Sequence, residues 1–509
     1  MPFELRQAIR ILPMSALLGL SACAVLPSPL TQVELSDRAG DALRRVAVDQ
    51  EPLLGPVDLY EAIARALKYN LDHRVEMMDA ALRASELHLA HYNLLPNVVA
   101  GSGYTARDSF NASNSVNVLT GAESLATSTS QEKRIGTADV TFSWNVLDFG
   151  LSYVRARQAA DKYLIAEELR RKAIHRVVED VRTAYWRAVS ADRMVAKLRK
   201  LEGRVRSAQA NSKAISDDRQ TSPITSVTYE RELVEIKRTL LELERDLVVA
   251  KTQLSSLMNL KPGTRFELSD GRRPAPPALK MPVGELISTA MENRVELREV
   301  WYRRRINEHE LDAAFLELLP GLTPYAGSNY DSNDFLFNSN WLSWGAKASW
   351  NVIRVFQYPA KRAVIEAQDD LLDERSLAVT MAVLTQVHVS RVRFFHYQRE
   401  LKAADEYLEV QTRLVNLMRS EAVAGRISEQ TLIREEMNTL LAEVRRDIAY
   451  ASTQNAFANV YASIGLDPYG PELEFKASVP VLAAGLRRVW LERGDGSPPR
   501  RQQASLSRK

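Results

Sequence analysis

Three kinds of hydrophobic pattern follow one another along this chain, and the series occurs twice. A stretch free of Pro and Gly runs from Leu59 to Leu95 and is closed by Pro96. Asp58 precedes it with Glu61 three residues on, the pattern of a helix start that satisfies its own first amides. The spacing predicts one helix. From Ile135 the period changes to two. Gly136, Ala138, Val140, Phe142 and Trp144 share one face, and Thr137, Asp139, Thr141 and Ser143 the other. That is a strand of about ten residues with one apolar face. A very long helical stretch follows, Ser152 to Ser216, with Gly203 as its one Gly and no Pro. At about 1.5 Å per residue it would approach 100 Å. After a polar turn at Asp217 to Ser222, the helix from Ile224 to Leu260 returns. Its Leu233, Ile236, Leu240, Leu243, Leu247, Ala250, Leu254 and Leu257 alternate spacings of three and four, which is a heptad seam.

The second series is a copy of the first. Glu61–Pro96 aligns without a gap on Glu285–Pro320 at an offset of 224, with Arg74/Arg298, Glu86/Glu310 and both Leu-Leu-Pro ends identical. From Trp144 the offset is 206, so that Trp144-Asn145-Val146 meets Trp350-Asn351-Val352, Ser222 meets Ser428 and Pro262 meets Pro468. The difference of 18 residues falls between helix and strand, which predicts the larger loop in the first copy. The copied strand keeps its parity, with Leu342, Trp344, Ala346, Ala348 and Trp350 on one face. Ala360 to Val423 is the second long helix, turning at Ala424 to Ser428, and its returning partner has a weaker seam rich in alanine (Ala442, Ala449, Ala451, Ala456). A repeat of this size is one duplicated unit. First and third helices of a copy, about 55 Å each, together match the long one. The third should therefore end at mid-height, near the start of the first.

Strands of this length, apolar on one face, polar on the other and aromatic near their ends, suit a tilted membrane barrel. Phe142, Trp144, Trp344 and Trp350 would then face lipid. The alternative is a soluble sheet packed on a core. Two strands per copy make four, and four strands leave open edges that a bilayer does not tolerate. Closure therefore needs several chains. Three would give a twelve-stranded barrel with a lumen, continued by a helical coiled-coil barrel.

Composition changes the picture little. Apolar residues are 45%, charged residues 26% and net charge +3, with no basic cluster that points to nucleic acid. The run Arg303-Arg304-Arg305 reads as a solvated helix face. The single cysteine is informative. Arg6 and Arg10, an apolar run from Ile11 to Leu20, and Leu20-Ser21-Ala22-Cys23 form a secretory signal too short to span a bilayer. The last four residues resemble a bacterial lipobox, which implies lipidation of Cys23 and, with Ala24 after it, outer-membrane sorting. The expected divisions are a signal at 1–22, an anchored lead-in at 23–56, one repeat at 57–262, a linker at 263–280, a second repeat at 281–468, and a basic tail at 469–509. That tail, from Gly485 on, is expected to be disordered at its end.

The ordered set of Val57-Asp58-Leu59-Tyr60-Glu61-Ala62-Ile63, both Leu-Leu-Pro ends, both Trp-Asn-Val ends and the tip Val423 to Leu432 resembles the TolC-type outer-membrane efflux channels. The resemblance covers about Val57 to Pro468. It implies a homotrimer that extends into the periplasm and serves an adaptor protein and an inner-membrane pump or ABC transporter. Arg219, Ser222, Gly425 and Ser428 would form the docking tips. Family members carry acidic residues at entrance positions that Thr431 and Arg434 occupy here, with Thr225 and Thr228 in the first copy. Arg434 either makes the entrance basic or pairs with a neighbouring helix. No phosphate loop, zinc motif or nucleophile elbow occurs, so no enzymatic activity or cofactor is expected. His88 and His91 share a helix face but lack a nearby third ligand. The rival reading is a periplasmic coiled-coil scaffold lipoprotein without a pore.

Overall fold

The computed structural model describes residues 28–46, 50–124, 126–217, 223–261, 263–269, 277–470 and 473–494. The signal segment, Cys23, Arg219, Ser222 and the chain beyond Gly494 lie outside the described residues. Residues 1–52 form a unit of their own, whose described part is helix α1, Gln32–Arg45. Thr31 caps it reciprocally: its hydroxyl accepts from the Glu34 N–H (3.3 Å), and its own N–H donates to the Glu34 carboxylate (2.8 Å).

The remainder is built in three layers. Each copy opens with two helices where the sequence predicts one: α2 (Leu59–Tyr69) and α3 (Leu71–Tyr92), then α6 (Val283–Asn293) and α7 (Val295–Leu316). The breaks fall at Asn70 and Arg294, both extended (ψ 130° and 128°). Neither Gly nor Pro marks them, so the prediction missed them. They persist because each broken residue has a partner elsewhere. The Asn70 amide donates to Leu257 O (3.3 Å) and accepts from the His73 N–H, while the Arg294 guanidinium donates to Ala462 O (3.2 Å). Both acceptors are carbonyls in the last turn of the returning helices; Ala462 O also accepts from the Gly465 N–H (3.0 Å). The predicted meeting of third and first helices at mid-height is therefore what the break is for. It is sealed by a two-way backbone pairing of Val57 with Glu267 and Ser269.

The sheet contains β1 (Asn97–Ala106), β4 (Arg134–Ser143), β5 (Gly321–Asp331) and β6 (Asn340–Ser349), antiparallel in the order β1-β4-β5-β6. Between β1 and β4 the longer first loop carries a small extra ribbon, β2 (Ala112–Ser113) with β3 (Ser128–Thr129). After the sheet come the long helices, α4 (Val146–Asp217, 72 residues) and α8 (Ile353–Val423, 71 residues), each returned by a 35-residue helix, α5 (Pro223–Leu257) and α9 (Glu429–Ser463). Both long helices begin earlier than predicted. Pro359 lies in the second turn of α8, where it removes one backbone N–H from the helix.

The heptad of α5 packs as expected. Leu233, Ile236 and Leu240 are buried against Met194, Leu198, Leu201 and Val205 of α4. The alanine-rich α9 is not a weaker element but a more enclosed one. It packs on α8 along one side and on α4 along another, and small side chains allow both approaches. Part of the expected tail is ordered too. Helix α10 (Val479–Gly494) buries Val479, Leu482, Ala483, Leu486 and Trp490 against the mid-height core, a helical spacing that the basic composition masked.

Gly465 and Asn259 end α9 and α5 in the left-handed conformation (φ 73° and 54°) at equivalent positions of the two copies. A Cβ on Gly465 would lie 2.5 Å from the backbone of Asn293, at the α6–α7 break. Gly465→Ala should therefore cost well over the roughly 1–2 kcal/mol of the left-handed conformation alone. Gly263→Ala, with φ 84° and open space, should cost only that. Thermal unfolding of both variants checks the difference; equal losses would mean that the break can move aside.

Candidate functional site

Register places the two faces of the sheet. In one row Val98 pairs with Phe142, Phe142 with Ala326 and Ala326 with Trp344; in the next lie Ala100, Val140, Ser328 and Leu342. Directly opposed residues share a face, so Phe142 and Trp344 lie on one face, with Ala326 between them, as their parities predicted. Nothing among the described residues covers this face: Trp344 is 84% and Leu342 78% exposed. Trp144 and Trp350 lie just past the strands, where the Trp350 ring N–H donates to Leu318 O (2.9 Å) and Trp144 stacks edge-on against Phe149.

The opposite face is polar and mostly small. Its rows include Gly101 with Asp139, Asn329 and Trp341, Val99 with Thr141, Gly327 and Ser343, and Asn97 with Ser143, Tyr325 and Gly345. Here side chains lie across glycines of the adjacent strand. A Cβ on Gly345 would meet the Tyr325 hydroxyl at 2.8 Å, and one on Gly101 the Asp139 carboxylate at 2.5 Å. Polar groups thus fold flat along the wall instead of standing off it.

At the second tip the chain turns in a Schellman motif. The Arg426 N–H donates to Glu421 O (2.9 Å) and the Gly425 N–H to Ala422 O (3.0 Å), with Gly425 at φ 71°. Ser428 then caps α9, accepting from the Thr431 N–H (3.2 Å). So Gly425, Ser428 and Thr431 come together, but as turn and cap. Thr225 and Thr228 lie in the first turns of α5. Arg434 is half exposed, and its nearest carboxylate is Glu435 of its own helix (3.9 Å), not a residue of a neighbouring helix.

The cross-helix pair is carried instead by Arg204, which sequence reasoning did not single out. From α4 it grips Glu436 of α9, which Arg419 of α8 also holds (3.0 Å), and it reaches Glu429 (4.0 Å). Nearby, Gln430 donates to Glu232 of α5 (2.8 Å) and Lys197 pairs with Glu443 (2.5 Å). Near the tips the two hairpins are tied by charge. Nothing in the local sequence marks Arg204, since its partner is 232 residues away.

At mid-height Asp467 accepts from His175 (3.1 Å) and Arg171 (3.1 Å). Burial pushes its carboxyl up, but these partners outweigh burial and hold it below the usual range. His73 is 2% exposed beside the α2–α3 break, its ring nitrogen on Leu67 O (2.7 Å). Burial, aided by Arg170 and opposed by that hydrogen bond, lowers its pKa. Among the described residues no group of three or more His, Cys, Asp or Glu side chains could hold a metal ion, and no helix is long and apolar enough to cross a membrane.

No protein-family model matches the chain, and no curated protein matches it in sequence. Solved structures do match. The Campylobacter jejuni CmeC outer-membrane channel superposes with a TM-score of 0.63 at 12% identity, over 91% of this chain and 97% of that one. CusC, studied for its transmembrane channel formation, gives 0.62 at 16%, over 83% and 96%. The open Neisseria gonorrhoeae MtrE outer-membrane channel gives 0.60 at 14%, over 80% and 89%. The fold is that of outer-membrane channels. Within this channel fold the sheet, the mid-height belt and the hairpin tips are the parts described above.

The neutral, buried His73 makes a pH prediction. Its native pKa is below its unfolded value, near 6.5, so the unfolded chain takes up more protons as pH falls. The stability it contributes is full above about 6.5 and is lost as pH falls toward the native pKa. His73→Gln should flatten that part of the profile of unfolding temperature against pH; an unchanged slope would remove His73 as the cause.

Proposed function

We propose that this chain is one subunit of a passive outer-membrane exit duct. It would serve a tripartite efflux pump or a type I secretion system, with the hairpin tips opened by a periplasmic adaptor. The observation that carries this reading is that every layer is an open strip with two unpaired edges. The sheet ends at β1 and β6. Above mid-height the helices run in the order α3, α4, α7, α8, and below it α5, α4, α9, α8.

The helical edges carry exposed apolar stripes. On α3 these are Leu71, Val75, Met78, Leu82, Leu89 and Tyr92; on α5, Val227, Val234, Leu241 and Val248. On α8, Val364, Leu371, Tyr407, Val410, Leu414 and Leu417 each lie one residue before a position that faces the chain's own helices. One strip closes on copies of itself head to tail when β6 and α8 of each copy meet β1, α3 and α5 of the next. Three copies give twelve strands around a polar lumen, with Phe142, Trp144, Trp344 and Trp350 toward lipid.

In this assembly the energy comes from the inner-membrane pump or ABC transporter, and the duct performs no chemistry. Cys23 adds an acyl anchor to the outer membrane. The hairpin tips, with Arg219, Ser222, Gly425 and Ser428, meet the adaptor. Thr225, Thr228, Thr431 and Arg434 border the periplasmic entrance, and the Arg204–Glu436–Arg419 cluster holds the hairpins together while it is closed.

Cysteines at Val234 and Leu414 should cross-link between copies, giving a ladder that ends at three chains in denaturing gels. A ladder that stops at two, or cross-links within one chain, would refute the closure. Cys23→Ala behind a substitute signal should remain in the membrane fraction; release into the periplasm would favour the scaffold without a pore. Arg204→Met leaves Glu436 with only Arg419, and should raise the conductance of the closed channel several-fold in planar bilayers. Conductance equal to that of the unaltered protein would mean that this cluster does not hold the entrance shut.

A further inference from the structure

The duplication carries into the sheet. Adding the offsets 224 and 206 to the pair Asn97–Ser143 gives Gly321–Ser349, and adding them to Ala106–Arg134 gives Tyr330–Asn340; both are pairs of the second hairpin. The two hairpins therefore have one register. Between them runs a seam, β4 against β5, with Thr141 opposite Gly327, Phe142 opposite Ala326 and Ser143 opposite Tyr325. The equivalent strands, β6 and β1, are the two open edges of the sheet. Under the same offsets their pairs are Lys347 with Gly103, Ala348 with Ser102 and Ser349 with Gly101. Odd residues meet odd and even meet even, so each face of the sheet continues across the seam. Glycine recurs at the same place, Gly327 in one seam and Gly103 in the other. A slip by two residues would also keep the faces, so apolar matching alone does not choose this register; the duplication does.

Charge points to the same junction. Asp139 and Lys347 stand on the polar face. Asp139 accepts from the Thr141 hydroxyl (3.3 Å), and neither Asp139 nor Lys347 forms an ion pair among the described residues. Within one chain they are far apart: they lie opposite Asn329 and Thr323 of β5, about 20 Å from each other along that strand. Across the open seam they are close. Asp139 is opposite Gly101, and its carboxylate already leans over that glycine, 2.5 Å from where a Cβ would stand. Lys347, opposite Gly103, would have its Cα about 7–8 Å diagonally from Gly101, within reach of a long side chain.

We propose that β6 of one chain joins β1 of the next in the register set by the duplication, with Ala348 opposite Ser102, and that Lys347 forms an ion pair across the seam with Asp139 of the next chain. This register rests on the ring closure proposed above and gives that closure its pairs and its charges. The ion pair passes over Gly101 and Gly103, which have no side chains to obstruct it. It ties β6 of one chain to β4 of its neighbour over the intervening β1.

The test is oxidation of outer membranes carrying the full chain with Ala348→Cys and Ser102→Cys together. Directly opposed Cβ atoms lie about 4.5–5.5 Å apart and diagonal ones about 7–8 Å, beyond the reach of a disulfide. Bands of two and three chains should form that neither single-cysteine variant gives. Ala348→Cys combined with Ala100→Cys or with Tyr104→Cys, one slip to either side, should not form them. Carbodiimide treatment of the unaltered protein should couple Lys347 to Asp139, seen by mass spectrometry as a branched peptide in the multi-chain bands and missing from the single-chain band. Linkage at either slipped pair in place of Ala348–Ser102 would overturn the register. Linkage at Ala348–Ser102 without the Lys347–Asp139 peptide would overturn the ion pair. If cysteines at Val234 and Leu414 link the chains and none of the three strand pairs does, the register falls while the ring stands; if none of these pairs links, the ring falls with it.

Discussion

An unpaired edge is the constraint on which this molecule turns. A strand edge presents a row of N–H and C=O groups, and hydrocarbon offers them no partner. A helix edge with an apolar heptad meets the same objection in water in a milder form. Here both kinds of edge coincide on the same two flanks of the chain, in three successive layers. The duplication is what aligns them. Each copy contributes two strands and one hairpin, so the strip is twice as wide and its flanks are still chemically one α8 side and one α3/α5 side. The closure on further copies proposed above would answer all three layers at once.

The mid-height belt is where the layers change over. The helices above and below could have been continuous, and their sequences carry no Pro or Gly to forbid it. They are interrupted where the returning helices end, and the residue at each break donates to a carbonyl in the last turn of the returning helix. Asn70 does this in one copy with a short amide that also caps α3. Arg294 does it in the other with a long guanidinium and leaves α7 without a side-chain cap. Gly465 fits against the second break because it has no Cβ, whereas Asn259 holds the same turn in the first copy. The two halves keep one geometry with different chemistry.

The tips show the same principle with a different outcome. Positions at which the resemblance implies acidic residues hold Thr431 and Arg434 here. The structure places the cross-helix ion pairs beside them, on Glu436, held from α4 and α8 by Arg204 and Arg419. A carboxylate displaced by one or two positions along a helix faces another neighbour, since each residue turns the helix by about 100°. An acidic residue near the expected position is therefore no guide to the contact that it makes.

What the chain determined by itself is whatever depends on local period and on self-comparison. The alternation of Gly136 to Trp144 and of Leu342 to Trp350 gave the face that Phe142 and Trp344 share, and the heptad of α5 named the residues that pack on α4. The offset between copies placed the longer loop. These are readable because side-chain direction in a strand or a helix follows from spacing alone. The breaks at Asn70 and Arg294, the packing of α10 under a basic composition, the double burial of the alanine-rich α9 and the grip of Arg204 on Glu436 were not readable. Each depends on a partner between 168 and 272 residues away in the chain, or on a second face that only packing creates. Period tells which side of an element is apolar; only the tertiary structure decides what stands opposite it.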